Sequence, residues 1–375
     1  MKILVTGGCG FLGSHICEYY RKQGEEVIAL DNLTKHELMR TGYNVEKARL
    51  YNWNYLKQIG VEVYESDIRE RNERYIDSVW QLAKDCDFIC HTAAQPSMTI
   101  SIEQPIFDFE NNVLGTLNVL EAARRYDVPV VNCSTIHVYG NGINNFLVED
   151  GKRFRVADSR NDIPLIKIKQ EIDENARILT GLITPLHASK RTTEIYTQAY
   201  IDTYGLRAAS FRLTGMYGER QFGGEDHGWV ANFVIRTILG LPITIYGTDK
   251  QVRDILYVKD AVRAFDAFFN YQRSGIYNIG GGIDRLISLR ECLGLIEKIT
   301  GIKQDIRLKE ARKGDLWYFC CDISKAREEL NWEPEVSNEE GLRKLIDWVK
   351  ENRNLFRRGK NEGFNTGRWQ RKTFE

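Results

Sequence analysis

Short apolar, β-branched runs alternate with longer amphipathic stretches along the first half of the chain. Lys2–Thr6 is a strand-like run ending in a glycine loop, and Gly13–Gln23 has helical spacing. Glu26–Leu30 predicts a second strand ending at Asp31, and Val61–Glu65 a third ending at Asp67. Ile76–Ala83 is predicted as a helix and Phe88–His91 as a strand leading into Ala93-Ala94. Asn112–Tyr126 then reads as a long helix, with Pro129–Cys133 the next strand. Strands separated by helical segments predict right-handed βαβ units. The fold class is therefore α/β, with a Rossmann-type, doubly wound parallel sheet.

The rhythm breaks over residues 141–184, which are polar and carry charge runs such as Lys167–Lys169. This stretch predicts an irregular insertion, a surface loop or lid. A helix at Ser189–Thr203 and a strand at Ala208–Arg212 complete a first domain of residues 1–214. Beyond Gly215 the elements shorten and glycine becomes denser. Residues 215–352 predict a smaller C-terminal lobe, with helices near Leu289–Thr300 and Glu339–Asn352 and some segments returning to the first sheet. The basic tail 353–375 has aromatics but no hydrophobic period, and reads as a solvated or oligomer-packing extension.

Composition narrows the setting. Across 375 residues, Lys+Arg and Asp+Glu both total 52, so no bulk charge favours nucleic acid or a membrane surface. Apolar runs such as Ile3–Val5 and Phe88–Cys90 are too short to span a bilayer. The N-terminus enters the glycine loop without a signal-peptide pattern. Eight scattered cysteines form no disulfide framework, which reads as a reducing cytoplasm. The histidines lack zinc-type spacing, so no metal is expected.

The loop Gly7-Gly8-Cys9-Gly10-Phe11-Leu12-Gly13 follows an apolar strand and opens a helix. Glycines there permit a tight turn and close backbone approach, and the helix N-terminus offers free N–H groups to a pyrophosphate. Gly7, Gly10, Phe11, Leu12 and Gly13 are the candidate contacts. Asp31, with Asn32 beside it, ends the second strand about eighteen residues past Gly13. A carboxylate there accepts from ribose hydroxyls and repels a 2′-phosphate, so NAD is the expected cofactor. Asp67 and Ile68 end the next strand, near the adenine. Ala93, Ala94 and Gln95 follow the fourth, where small residues let a cofactor lie against the backbone.

This fingerprint resembles the extended short-chain dehydrogenase/reductase family. Further matches are Ser134-Thr135-x-x-Val138-Tyr139-Gly140, Ser189-Lys190, Arg212, Tyr277-Asn278-Ile279-Gly280-Gly281 and Arg312-x-Gly314-Asp315. Together they cover roughly residues 1–350 and resemble the nucleotide-sugar branch. Three segments are similar to its CDP-paratose 2-epimerase (CDP-tyvelose epimerase) subgroup: Met216–Phe222, Gly228-Trp229-Val230 and Lys250-Gln251-Val252-Arg253-Asp254. The resemblance implies transient oxidation of a sugar carbon by NAD and return of the hydride to its other face. It also implies a homodimer or homotetramer.

By the same resemblance Thr135 bonds the reacting sugar oxygen, and a tyrosine four residues before Lys190 takes its proton. That position holds Leu186, which has nothing to titrate. Lys190 retains a role on the nicotinamide ribose. Proton acceptors left open are Lys190 itself, His187, His137 or a water relay. Arg253 and Arg312 fall at the positions that bind the substrate diphosphate, and Arg220 can join them. Gln221, Gln251 and Tyr217 are base or sugar contacts. The leading expectation is an NAD-dependent nucleotide-sugar epimerase of the CDP-paratose 2-epimerase type. The alternatives are a 4-epimerase, dehydratase or decarboxylase of the same branch, or a catalytically impaired protein that binds NAD and a nucleotide sugar.

Overall fold

The computed structural model describes all residues except 35–37, 39, 44, 72–74, 158–169 and 358–375. The first half alternates as the sequence pattern requires: β1 Lys2–Thr6, α1 Phe11–Lys22, β2 Glu26–Asp31, α2 Val45–Gln58, β3 Glu62–Glu65, α3 Val79–Ala83 and β4 Phe88–His91. Next come α4 Met98–Glu103, α5 Pro105–Phe109, α6 Gly115–Tyr126 and β5 Val130–Thr135. The long helix expected from Asn112 begins with a π-helical turn at Glu110–Leu114. The helix expected from Ile76 starts only at Val79, where the Ser78 side chain caps it.

The described residues of 141–184 are more regular than their polarity suggests. They contain an antiparallel hairpin, β6 Leu147–Asp150 and β7 Arg153–Val156. Phe154 and Val156 are buried, and the Phe154 ring stacks on Trp317 at 5.5 Å. The alternation of Phe154 and Val156 with charged neighbours is the period of a half-buried strand. The Lys167–Lys169 charge run lies outside the described residues.

Then come α7 Pro185–Tyr204, β8 Ala208–Leu213, β9 Gly215–Tyr217, α8 Trp229–Leu239, β10 Ile243–Tyr246, β11 Val252–Tyr257 and α9 Val258–Tyr271. The chain ends with β12 Gly275–Ile279, β13 Leu286–Ser288, α10 Leu289–Thr300, β14 Ile306–Lys309, β15 Tyr318–Phe319, α11 Ser324–Leu330 and α12 Asn338–Glu351.

Seven strands form one parallel sheet in the order β3-β2-β1-β4-β5-β8-β12. Its inner strands are near-continuous apolar runs, because helices cover both faces. The order reverses between β1 and β4, which opens a crevice at the strands' carboxyl ends. β12 comes from beyond the second lobe's first elements and pairs with β8 from Gly275↔Ala209 to Ile279↔Leu213. The second lobe is built on β11, which pairs with β9, β13 and β15, and on the parallel pair β10 and β14.

Candidate active site

The loop after β1 is locked against β4. Gly7 has φ +67°, and a Cβ on it would lie 2.7 Å from Ala93 Cα. A Cβ on Gly13 would lie 2.2 Å from the Gly7 carbonyl oxygen. Any side chain at either position would push the turn apart, so the backbone stays bare where α1 begins. The first-turn N–H groups of α1 have no carbonyl partner within the helix, and the helix dipole adds positive potential there. The Asp31 carboxylate accepts from the N–H of Cys9 (2.9 Å) and of Leu33 (2.8 Å), which fixes it at the end of β2.

From this loop a cavity of about 510 Å³ runs along the carboxyl ends of the strands and under the second lobe. Gly7, Gly10, Phe11, Leu12, Gly13, Asp31, Asn32, Ile68, Ala93, Ala94 and Gln95 line its first part. Thr135, Leu186 and Lys190 line its middle, and Arg220, Gln221, Gln251, Arg253 and Arg312 the remainder. Bare glycine backbone, a helix N-terminus and a fixed carboxylate are what a dinucleotide needs, so the residues present fit NAD.

The middle of the site hangs on α7. Leu186 and Lys190 stand four residues apart, so both project from one face of the helix. A buried network holds that helix to the sheet. Glu194 on α7 is fully buried and pairs with Arg212 on β8 through two contacts of 2.9 Å. The Ser134 hydroxyl donates to Glu194 at 2.6 Å, and Arg212 donates to the Tyr139 hydroxyl at 2.9 Å. Lys190 Nζ donates to the Cys133 carbonyl at 2.9 Å, and burial lowers its pKa. Thr135 Oγ1 accepts the N–H of His137 at 3.3 Å.

Three candidate residues stand elsewhere. His187 does not line the cavity: its Nδ1 accepts the N–H of Thr184 at 2.8 Å, so it caps α7. Tyr217 is fully buried inside the second lobe, with its hydroxyl directed at the Asn338 carbonyl. Alternation along β9 explains this, since Met216 takes the cavity side and leaves its neighbour the core. Asp67 is not in the wall either. Its carboxylate is taken by Arg69 and by Asn32 Nδ2 at 2.9 Å.

The arginines differ in what they already hold. Arg220, at φ +62°, reaches back to α1 and pairs with the buried Glu18 at 2.7 Å. Burial alone would raise the Glu18 carboxyl, but Arg220 and Lys22 hold it down at about 2. Arg253 is partly buried, desolvation lowers its guanidinium to about 10, and it donates to the carbonyls of Val252 and Leu316. Arg312 lies 3.7 Å over the Tyr246 ring, 2.9 Å from the Glu225 carbonyl and 3.3 Å from Asp226. Glu225, Asp226 and Tyr246 were not among the sequence candidates. The acidic pair after Gly223-Gly224 was the one available signal for this part of the wall.

The model of the NAD dependent epimerase/dehydratase family matches residues 3–280. The chain belongs to that family. Its cofactor is NAD. The CDP-paratose 2-epimerase of Salmonella typhi is 34% identical over 360 residues, spanning 93% of this chain and 99% of its own. Among solved structures, the UDP-glucose 4-epimerase of Thermus thermophilus in complex with NAD matches with a TM-score of 0.71 at 32% identity, covering 93% of this chain and 99% of its own. The Thermotoga maritima UDP-glucose 4-epimerase with UDP-glucose gives a TM-score of 0.72 at 29% identity, covering 94% of this chain and 99% of its own. The matched residues span the parallel sheet, the glycine loop and the cavity wall as far as Arg253, and stop before Arg312. No described helix is long and apolar enough to cross a membrane.

Proposed function

We propose that the protein is an NAD-dependent nucleotide-diphosphate-sugar epimerase of the CDP-paratose 2-epimerase type, in which Leu186 stands at the usual tyrosine position. The observation that carries this reading is the continuous cavity that joins the glycine loop to the Arg253 and Arg312 end. NAD, when bound, supplies the hydride acceptor and donor. Asp31 holds the adenine ribose, and Lys190 holds the nicotinamide ribose. Arg253 and Arg312 neutralise the substrate diphosphate, with Gln221 and Gln251 as further polar contacts. Thr135 donates to or accepts from the reacting sugar oxygen, and the walls keep water from the transient ketone. The 34% identity to the Salmonella typhi enzyme supports the CDP-linked substrate. We take the active form to be a cytoplasmic homodimer or homotetramer with no nucleic-acid or membrane partner.

A second reading is favoured by Leu186 itself, which offers no group to move a proton: a protein that binds NAD and a nucleotide sugar without turning it over. Purification with assay of bound NAD, followed by incubation with a panel of CDP-sugars and product analysis by NMR, separates the two. Inversion at one carbon of the sugar is expected. Tight NAD binding with no product from any nucleotide sugar would establish the second reading.

A further inference from the structure

The site lacks the tyrosine, yet removing a hydride from a carbinol carbon requires that the hydroxyl proton go somewhere. The chain has six histidines, and their environments sort them. His36 lies outside the described residues. His15 Nε2 is 2.8 Å from the Glu219 carbonyl. His91 is held at both ring nitrogens, by Thr6 at 2.7 Å and Thr116 at 2.9 Å. His187 caps α7. His227 lines the main cavity and a side cavity of about 260 Å³, and already has an interaction of its own.

His137 is different. It lines the main cavity two residues beyond Thr135, and neither ring nitrogen has a hydrogen-bond partner among the described residues. Its ring lies 5.7 Å from that of His187, the neighbour of Leu186 in sequence. Arg253, which lines the same cavity, lies within electrostatic reach of it. It therefore shares one cavity with Thr135, Leu186 and the arginines of the diphosphate end, where a sugar linked to that diphosphate would lie.

Three other ionisable groups of the wall are occupied, while Asp315 stands beside the charges of Arg253 and Arg312. Lys190 Nζ is on the Cys133 carbonyl. Glu225 takes the Tyr246 hydroxyl at 2.9 Å. Asp226 takes Thr99 at 3.2 Å as well as Arg40 and Arg312.

We propose that His137 is the catalytic proton acceptor and donor of this site, in place of the missing tyrosine. The proposal rests on the reading of the cavity as one that oxidises and re-reduces a sugar carbinol. The C–H bond breaks with its electron pair going to NAD⁺. The O–H proton passes to a ring nitrogen of His137, which becomes an imidazolium, and the carbon–oxygen double bond forms. On return, hydride adds to the other face of the carbonyl carbon and the imidazolium gives its proton back to the oxygen. Burial, with His187, Arg253 and His227 adding to it, pushes the imidazole down to about 3. The ring is therefore neutral at working pH, and the same burial makes it a weaker base than a free imidazole.

The test uses the full-length protein with NAD and CDP-paratose, following CDP-tyvelose by NMR. His137→Gln and His137→Ala are expected to lose about 10²–10⁴-fold in turnover while keeping their NAD content, the range for one general acid–base group. Added imidazole is expected to restore part of the His137→Ala activity. Wild-type turnover in both variants would overturn the proposal. So would loss of turnover with no recovery in imidazole, which would leave His137 only a positioning role. A second readout does not depend on turnover: in protein with labelled histidine, the His137 ring signals are expected to shift with CDP-paratose and not with CDP alone. A ring that ignores the sugar overturns the proposal. A wild-type protein that leaves CDP-paratose unchanged would count against the activity itself, and the ring signals would still decide the role of His137.

Discussion

Replacing Leu186 with tyrosine tests whether this position faces the chemistry. Leu186 is 2% exposed and lines the cavity, so the added ring and hydroxyl project into open space of about 510 Å³. Overpacking would cost about 1–3 kcal/mol in a closed core, and the cavity relieves most of it. Lys190 stands one turn along the same face, with Cβ atoms about 6 Å apart in such a pair. At an effective dielectric of about 20, a unit charge at about 6 Å favours the phenolate by about 2.8 kcal/mol, or about two pKa units. That moves a tyrosine from about 10 toward about 8, and burial pushes back up. The Leu186→Tyr variant should therefore gain an ascending limb in its pH–rate profile between about pH 8 and 10, with turnover at least about tenfold above the parent at the upper end. In a His137→Gln background the same tyrosine should restore turnover. The assay is conversion of CDP-paratose by NMR, with NAD content and melting temperature measured beside it. A folded, NAD-loaded Leu186→Tyr protein with no gain and an unchanged pH profile would refute the placement of Leu186 at the acid/base position.

Gly13→Ala puts a Cβ 2.2 Å from the Gly7 carbonyl and should weaken NAD binding by about tenfold or more in a fluorescence titration; unaltered affinity would show that the loop yields. Glu194→Gln leaves Arg212 buried without its counter-charge, at a cost of about 3–5 kcal/mol. For a chain of this size that is a fall in melting temperature of about 4–6 °C by calorimetry, and a change under about 1 °C would contradict the network's role. His91 is depressed to about 3, chiefly by burial, with Lys190 adding to it. Folding thus favours the neutral ring, so its contribution is complete above about pH 6.5 and is lost as pH falls toward 3. His91→Gln should flatten the pH dependence of stability between about pH 6.5 and 4 in urea melts.

The parts of this molecule that could be read from sequence were those whose geometry is local. The glycine loop, the acidic end of β2 and the Leu186–Lys190 spacing each lie within one strand–loop–helix unit, so residue type and interval determine what they face. Tyr217 and Arg220 were harder, because their surroundings come from distant segments: Asn338 on α12 for one and Glu18 on α1 for the other. A motif places such residues near a site without saying which side of a strand they occupy. His187 misled for another reason. Its imidazole can serve chemistry or a helix end, and only the contact with Thr184 decides. The hairpin within 141–184 escaped notice because its apolar positions are few and its partners lie in β11 and β15.

The strand β12 has a consequence for how such a protein can be taken apart or recombined. It completes the cofactor sheet from a position after much of the second lobe, and the chain must make that lobe before it can finish the sheet. A fragment ending at Leu213 would leave β8 with a bare edge, an invitation to pair with another chain. It would also leave the Tyr139 hydroxyl without Asn278. The two halves are thus tied together through one sheet. Cutting out or exchanging the second lobe would therefore disturb the cofactor sheet, whereas a change of side chains along the cavity would not.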